Sequence, residues 1–349
     1  MNRALPSAGR LRDLIAAFEG REVLVFADLV ADRFVAGRAR RISREAPVLI
    51  LDQESDAVVP GGGANAVSNI RALGGRPLLL GSCGDDPEGR ALVAALVERG
   101  VDVGHVLERS GYRTPTKTRV LGGGTTTTVK QQIVRIDSGD RRDLSDSELD
   151  RYRTSALRLL SADRPPAVAV FSDYGYGSVA PGLLSEVRAH SPGAVTLVDS
   201  RYRLRDFAGA TGATPNQEEA EAILGVSLDD DDSLRQHGPE LRRRLGLEFL
   251  LITRGSRGMA LFLEDRRLFL PVSGGDEVAD VTGAGDTVIG AFSLAVAAGA
   301  SPAEATAIAN LAGGVVVHKQ GTATASASEL LRALDLDRDR LEEVEWDAS

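Results

Sequence analysis

Asp280-Val281-Thr282-Gly283-Ala284-Gly285-Asp286-Thr287-Val288-Ile289-Gly290 is the stretch from which the rest of the chain can be read. Three residues without bulk, Gly283, Ala284 and Gly285, lead straight into an apolar helix. They let the backbone approach a ligand closely, and helix onset leaves N–H groups unpaired. Such a point attracts an anion. Asp286 stands directly behind these donors, where it is poorly placed to bind the same anion but can take a proton from a hydroxyl attacking it. Donors plus base suggest phosphoryl transfer to an alcohol. An acidic first turn behind a glycine turn is also an ordinary way to start a helix.

Outward from this motif, the chain has 349 residues, 43% of them hydrophobic, and a formal net charge of −9. That length suits one large α/β domain or two smaller ones. No long basic stripe is present, so nucleic acid is excluded as a natural partner and small-molecule chemistry is expected. Cys83 is the one cysteine and lies in an apolar run, which forbids an intrachain disulfide and fits a reducing compartment. Neither a leader nor a membrane-spanning stretch is visible, and a cytoplasmic location is expected. His105, His190, His237 and His318 have no metal-ligand companions at close spacing. Lys117, Lys130 and Lys319 are the three lysines and none follows a glycine, so the Walker type of phosphate loop is absent.

Leu11, Leu14, Ile15 and Phe18 share one face of an N-terminal helix. Glu22 to Phe26 reads as a short strand with Asp28 and Asp32 beyond its carboxyl end, where ligands of parallel sheets gather; either carboxylate could accept hydrogen bonds from a polyol or face solvent. Residues 34–37 and 48–51 read as two further strands. Gly61-Gly62-Gly63-Ala64-Asn65 then opens a helix, either as a flexible turn or as bare backbone against a sugar or phosphate. Apolar runs at 78–81, 167–171, 194–198 and 248–252 alternate with helical stretches at about 86–98, 145–160, 179–189, 217–223 and 231–245, which predicts a parallel sheet covered on both faces. Residues 112–121 and 129–137 break the alternation as a hairpin. With the strands near 34–37 and 48–51 they would form a small lid sheet, joined by the low-complexity segment Gly122 to Thr128. Asn216 reads first as a helix N-cap with Glu219 three residues on, a capping-box spacing; the functional alternative is that the pair holds water around Mg²⁺ beside nucleotide phosphates. Asp229 to Asp232 reads as a solvated helix start. Thr253 to Gly258 follows a strong strand, as a ligand loop or a tight hairpin. The helices 285–298 and 302–318 follow the central motif, and the tail from Leu334 to Ser349 reads as acidic and frayed.

Assembled, these parts resemble the ribokinase-like (PfkB) family of carbohydrate kinases over about residues 22 to 333, through Gly61 to Asn65, Asn216 to Glu219 and Asp280 to Thr287 in that order. Asp28 to Phe34, Arg41 to Pro47, Gln131 to Asp137 and Asn310 to Thr322 resemble the D-glycero-D-manno-heptose 7-phosphate kinase branch. The resemblance implies an α/β ribokinase-like fold, a mostly parallel sheet with helices on both faces and a β-sheet lid. The domains would be a helical extension (1–20), a kinase domain (21–333, lid segments about 33–52 and 112–137) and an acidic tail (334–349). It implies transfer of the ATP γ-phosphate to the C1 hydroxyl of a heptose 7-phosphate. Asp286 would be the base, with Gly283, Ala284 and Gly285 as anion hole. Asp32, Gly62, Gly63 and Asn65 would hold the sugar, while a phosphate at its far end needs cationic partners, for which Arg40, Arg41, Arg44 and Arg201 are the candidates. Asn216 and Glu219 would organise Mg²⁺ through water, Thr253, Gly255, Gly258 and Asn310 would lie along ATP, and Asp280 and Thr282 would hold a monovalent cation such as K⁺. A homodimer through the lid is implied as well.

Three features depart from the branch: Arg44 where proline is usual, Asp199-Ser200-Arg201-Tyr202 in place of Asp-Pro-Lys-Gly, and the Gly122 to Thr128 joint. The cytidylyltransferase-like domain fused to many members is not in the sequence, so the kinase step alone is expected. A kinase for another sugar, sugar phosphate or nucleoside is the alternative enzyme. A sugar-binding regulator without catalysis is the alternative from another class, but a binder needs none of Asp286, Asn216 and Glu219.

Overall fold

The structure, a computed structural model, describes residues 7–123, 130–274, 279–338, 341, 344 and 346–348. In chain order its elements are α1 (Ala8–Ala16), β1 (Glu22–Ile42), β2 (Leu49–Gly62), α2 (Gly63–Ala72), β3 (Arg76–Gly84), α3 (Pro87–Glu98), β4 (Val106–Arg109), β5 (Thr116–Gly123), β6 (Gln131–Ser138), α4 (Asp146–Leu160), β7 (Val168–Asp173), α5 (Leu183–His190), β8 (Val195–Ser200), β9 (Gly212–Ala213), α6 (Gln217–Leu224), α7 (Asp231–Arg244), β10 (Phe249–Thr253), β11 (Met259–Phe262), β12 (Arg266–Leu270), α8 (Ala284–Ala297), α9 (Pro302–Val317), α10 (Ala327–Leu336) and β13 (Trp346–Ala348).

The main sheet runs β4-β3-β1-β7-β8-β9-β10 in parallel, then β11, β12 and β13 antiparallel. Alternation along β1 divides the core: Val23, Val25 and Ala27 pack with α1, α2, α8, α9 and α10, whereas Leu24 and Phe26 face α4, α5 and α7. Each fully buried Val, Leu or Phe contributes about 1.5–3 kcal/mol from burial, and α8 and α9 are apolar nearly all round because sheet and helices enclose them. Helix starts follow the polar residues that precede them, with reciprocal capping boxes at Ser145, Asn216, Asp230, Ser301 and Ser326.

One strand builds both sheets. Residues 22–28 of β1 pair with β3, and from Leu29 onward β1 leaves the main sheet to pair with β2 antiparallel and β5 in parallel, with β6 outside β5. The reading of separate strands at 22–26 and 34–37 is therefore corrected: they are one strand, and polar residues from Asp28 onward mark its passage between sheets rather than a break. Of the Gly/Thr joint, residues 124–128 lie outside the described residues. The tail reading is corrected in part, since Trp346–Ala348 pairs with β12 and Asp347 bridges Arg235 and Arg267 at 2.9 and 3.0 Å. Among the described residues no helix is long and apolar enough to cross a membrane.

Candidate active site

The carboxyl ends of β7, β8 and β10 converge below the lid beside the passage of β1 from one sheet to the other, and α8 begins there. Gly283 caps α8 in the left-handed region (φ 79°), with no side chain capping the first turn. The N–H groups of Gly283, Gly285 and Asp286 have no acceptor among the described residues, but that of Ala284 is donated to Val281 O at 3.2 Å. The expected anion hole is corrected accordingly: Ala284 contributes shape and not a free donor.

Asp286, 3% exposed, sits under these donors. Tyr174 donates its hydroxyl to Oδ1 at 2.6 Å, and Asn65 donates Nδ2 to Oδ2 at 3.2 Å and to Gly283 O at 3.2 Å. Burial pushes the Asp286 carboxyl up to about 7, against the opposing pull of the Tyr174 and Asn65 hydrogen bonds and Lys117; the charge of Asp32 adds to the rise. A group so placed can exchange a proton near neutral pH.

Asp286 faces a cavity of about 260 Å³ whose lining includes Tyr174, Asp199, Arg201, Asn216, Glu219 and Thr253. Burial raises Asp199 well above the carboxylate range, and Glu219 and Asp286 add repulsion; burial also raises Glu219, despite the Asn216 N–H. Arg201 is the cation on this wall. Its guanidinium makes no hydrogen bond or ion pair with the described residues and leans over the Tyr202 ring at 5.8 Å. Asn216 and Glu219 are both cap and wall: Asn216 Oδ1 accepts the Glu219 N–H at 2.9 Å and Glu219 Oε2 accepts the Asn216 N–H at 2.9 Å, yet both residues line the cavity. No group of three or more His, Cys, Asp or Glu among the described residues is arranged to hold a metal directly. The excess of carboxylates fits a hydrated divalent cation held jointly with a bound phosphate.

Thr253 is shared with a second, largely apolar cavity of about 360 Å³, lined by Gly255, Gly258, Val272, Val288, Asn310, Gly313 and Val317 among others. It suits a flat heteroaromatic ring. Its two loop glycines separate here. Gly255 opens onto free space, whereas a Cβ on Gly258 (φ 79°) would lie 2.0 Å from Leu270 O, so Gly258 serves the β10–β11 hairpin. Asn310 donates Nδ2 to Pro271 O at 2.8 Å. Gly313 has room for a Cβ, with Val288 the nearest atom at 3.5 Å. Gly313→Leu is expected to fill this cavity and raise KM for the substrate it holds by more than about tenfold with little change in fold stability, measured by initial rates and thermal melting.

On the other side of Asp286, Asp32 is 3% exposed and accepts from Arg119 Nη1 at 2.7 Å. Gly62 and Gly63 are buried, and Cβ atoms there would meet Val30 Cγ2 at 2.8 Å and Ala27 Cβ at 2.7 Å. Close packing of the β2–α2 turn on β1 therefore requires small residues here whether or not a ligand also lies against the turn. Asn65 is likewise brought onto Asp286. Asp280 Oδ1 accepts the Thr282 N–H at 2.9 Å and its Oδ2 the Gly321 N–H at 3.0 Å, joining two loops beside a third cavity of about 490 Å³ lined by Phe34, Arg119, Lys130 and Thr322 among others. Asp28 touches none of these cavities. Arg40, Arg41 and Arg44 are exposed at the far end of the lid, Arg40 paired with Asp52 at 3.2 Å, while Arg201 alone of the four arginines considered for an anion reaches the Asp286 cavity.

Sequence reasoning does not single out Tyr174 and Lys117. Lys117 Nζ lies 5.1 Å above the Tyr174 ring. The available signal is position: Tyr174 directly follows the β7 terminus, the same kind of place that makes Asp28 and Asp32 candidates.

A doubly covered α/β sheet, a β lid and an open helix terminus over a buried carboxylate define a phosphotransferase of the sugar-kinase class. The chain belongs to the pfkB family of carbohydrate kinases, whose model matches residues 22–171 and 184–329. It is 37% identical over 333 residues to a protein of Mesorhizobium japonicum named bifunctional protein HldE, covering 94% of this chain and 65% of the relative. The Geobacter sulfurreducens protein of that name is 38% identical over 316 residues, covering 89% and 62%. The chain thus spans somewhat less than two thirds of these relatives' length. Among solved structures, phosphofructokinase-2 from Escherichia coli with substrates and products has a TM-score of 0.72 at 20% identity, covering 90% of this chain and 99% of that one. Ribokinase of Arabidopsis thaliana with ribose and ATP gives 0.68 at 19% identity, covering 90% and 99%. At such identities the likeness is one of fold.

Proposed function

We propose that the enzyme transfers the γ-phosphate of ATP to the C1 hydroxyl of D-glycero-D-manno-heptose 7-phosphate, with Asp286 as general base. The observation that carries the chemistry is the buried Asp286 carboxylate beside the free N–H groups that open α8. The sugar assignment is supported by the branch-like segments of the sequence and by the similarity to the HldE proteins.

Asp286 takes the proton of the acceptor hydroxyl as its oxygen forms a bond to the γ-phosphorus, and the bond from that phosphorus to the bridging oxygen breaks, releasing ADP. The Gly283 and Gly285 N–H groups and Arg201 face the charge spread over the phosphoryl oxygens. The apolar cavity with Thr253, Gly255 and Asn310 holds the base of ATP. Asn216 and Glu219 hold the water shell of Mg²⁺, which neutralises phosphate charge when bound. Asp32 and Asn65 lie on the acceptor side, with Arg119 and Lys130 as cations for the distal phosphate. Asp280 and Thr282 form the candidate K⁺ loop; phosphofructokinase-2 from Escherichia coli, of similar fold, has been solved in complex with potassium. Homodimerisation through the lid belongs to the same reading, supported by Ile42, Leu49, Ile133 and Ile136 exposed on lid strands.

Because the base must be ionised, kcat/KM is expected to climb with pH, bend near the Asp286 value of about 7 and level off above it. A profile flat from pH 5.5 to 8 would remove Asp286 from that role. The acceptor is tested by ADP release with Mg·ATP against heptose 7-phosphate, unphosphorylated heptose, fructose phosphates, ribose and adenosine. Turnover on heptose 7-phosphate alone supports the reading, turnover only on another acceptor moves the enzyme to another sugar, and silence throughout favours a binding protein.

A further inference from the structure

Asp28 is fully buried in the strand that builds both sheets, and its carboxylate is committed elsewhere than to a ligand. Oδ2 accepts the N–H groups of Tyr174 and Tyr176 at 2.9 and 2.8 Å, and Oδ1 accepts that of Ser178 at 2.8 Å. A carboxylate taken out of water is tolerated only when its oxygens are hydrogen-bonded. All three of these donors come from one segment, the turn that follows β7. That turn carries Tyr174 to Asp286, on a helix far from it in sequence.

The Tyr174 phenol donates to Asp286 Oδ1 at 2.6 Å while Asn65 holds Oδ2 at 3.2 Å, so the carboxylate plane is fixed from both ends. Lys117, on lid strand β5, covers the same phenol ring. Burial, with the neighbouring Asp286 and Asp199 charges, holds the Tyr174 hydroxyl well above its ordinary value, so it remains a donor through the neutral range.

We propose that Tyr174 is a positioning residue for the base and that Asp28 acts through it: Asp28 gathers the turn, the turn aims the phenol, and the phenol orients the Asp286 carboxylate toward the acceptor hydroxyl. This rests on the reading of Asp286 as base. It assigns a function to the buried Asp28 that its place in the strand does not explain, and it ties the main sheet, the lid and the helix terminus to one carboxylate. The groups facing Asp286 are Asp32 on β1, Asn65 on α2, Lys117 on β5 and Tyr174 after β7, with Asp199, Arg201 and Glu219 across the cavity. Of these, Tyr174 and Asn65 hydrogen-bond to the carboxylate directly. Tyr174→Phe therefore removes one of two donors and keeps the ring under Lys117.

The test uses the full chain and the variants Tyr174→Phe, Asp28→Asn, their combination, and Asp286→Asn as reference. With Mg·ATP and heptose 7-phosphate, or the panel acceptor that turns over, Tyr174→Phe is expected to lower kcat about 10–100-fold at pH 7 with KM for ATP within about twofold. The loss shrinks toward pH 9, because losing a donor makes the carboxylate harder to ionise. Asp28→Asn falls in the same direction, and the double variant is no worse than Tyr174→Phe, as expected of residues acting in series. A readout without substrate runs in parallel. The pH dependence of the thermal midpoint, taken relative to Asp286→Asn, shifts upward by about one pH unit in Tyr174→Phe, whereas a merely structural tyrosine lowers the midpoint equally at every pH. Parental kcat with an unshifted pH profile in Tyr174→Phe overturns the proposal, as do losses that multiply in the double variant. Should Asp28→Asn fail to fold, Tyr174→Phe alone decides by its two pH readouts. Normal turnover in Asp286→Asn sinks the base reading itself, an outcome distinct from a dead Asp286→Asn beside a normal Tyr174→Phe.

Discussion

Asp286→Asn is expected to lose about 10³-fold in kcat while binding ATP within about threefold of the parent, since an amide of nearly the same shape cannot accept the hydroxyl proton. Rapid-quench turnover and calorimetric titration with ATP check the two halves separately. The same variant makes an unusual stability prediction. The folded-state value of Asp286 lies above its ordinary 3.8, near 7, so ionising it in the folded protein costs stability. That cost is absent below about pH 4, grows as pH rises and is complete above about 7. Removing the charge should therefore make the variant more stable than the parent at pH 8, by about 1–4 kcal/mol, since each tenfold weakening of an acid on folding corresponds to about 1.4 kcal/mol. The difference should vanish toward pH 4. Chemical denaturation at pH 4.5 and 8 measures it. A variant less stable than its parent at pH 8 would mean that the carboxylate is not under strain in the folded state. A functional residue held against folding is a familiar trade between stability and activity.

The second large effect is expected at Gly283. Its left-handed φ of 79° costs a side-chain-bearing residue about 1–2 kcal/mol, and a Cβ there would stand 2.5 Å from Asn65 Nδ2 and 3.3 Å from Thr322 Cγ2. Asn65 cannot simply swing away. It is 1% exposed, donates to Asp286 and to Gly283 O, and its own Oδ1 and backbone oxygen accept from Asn69 at 3.3 and 3.0 Å. Gly283→Ala thus strains the α8 terminus and displaces a hydrogen-bond donor to the base together. The expected result is a kcat lower by at least about 10²-fold and a melting midpoint lower by roughly 3–8 °C, read by initial rates and scanning calorimetry. An alanine variant with parental turnover would show that the Gly283 to Asp286 geometry is not what the reaction uses.

How much of this was legible in the sequence depends on whether the decisive partner was local. The helix openings were, because a capping residue and its reciprocal partner lie three positions apart, as at Ser301 and Glu304 or Asn216 and Glu219. The sheet order at its centre was partly legible too, from apolar runs such as 167–171 that a doubly covered strand requires. The length of β1 was not, since the strand changes sheets near Leu29 and its alternation resets there, so one strand of two environments reads as two strands. The glycines divide along similar lines. Gly61 to Gly63 and Gly258 are crowded by β1 and the 270–272 segment, information held by residues up to about thirty-six positions away, whereas Gly283 combines a left-handed φ with close approach to Asn65 and Gly285 has open space in front.

The site shows the same division. Asp286 and its donors occupy one stretch and can be read together. Tyr174, 112 residues from Asp286, and Lys117, on a strand of the lid, reach the base only through tertiary structure. Asp28, at the end of an apolar run, reads as a polyol ligand or a solvent-facing acid; three backbone donors 146 to 150 residues downstream make it a buried structural carboxylate instead. Ala284 illustrates the converse, a residue of the motif whose N–H is already taken by Val281.

The most direct measurement is the identity of the product. The enzyme is incubated with Mg·ATP and D-glycero-D-manno-heptose 7-phosphate and the product is identified by ³¹P NMR. The account predicts a new signal from a phosphate on the anomeric carbon, stoichiometric with ADP, beside the unchanged 7-phosphate signal, and the absence of that signal with Asp286→Asn. A new phosphate on any other hydroxyl, or an anomeric phosphate formed equally well by Asp286→Asn, would contradict it.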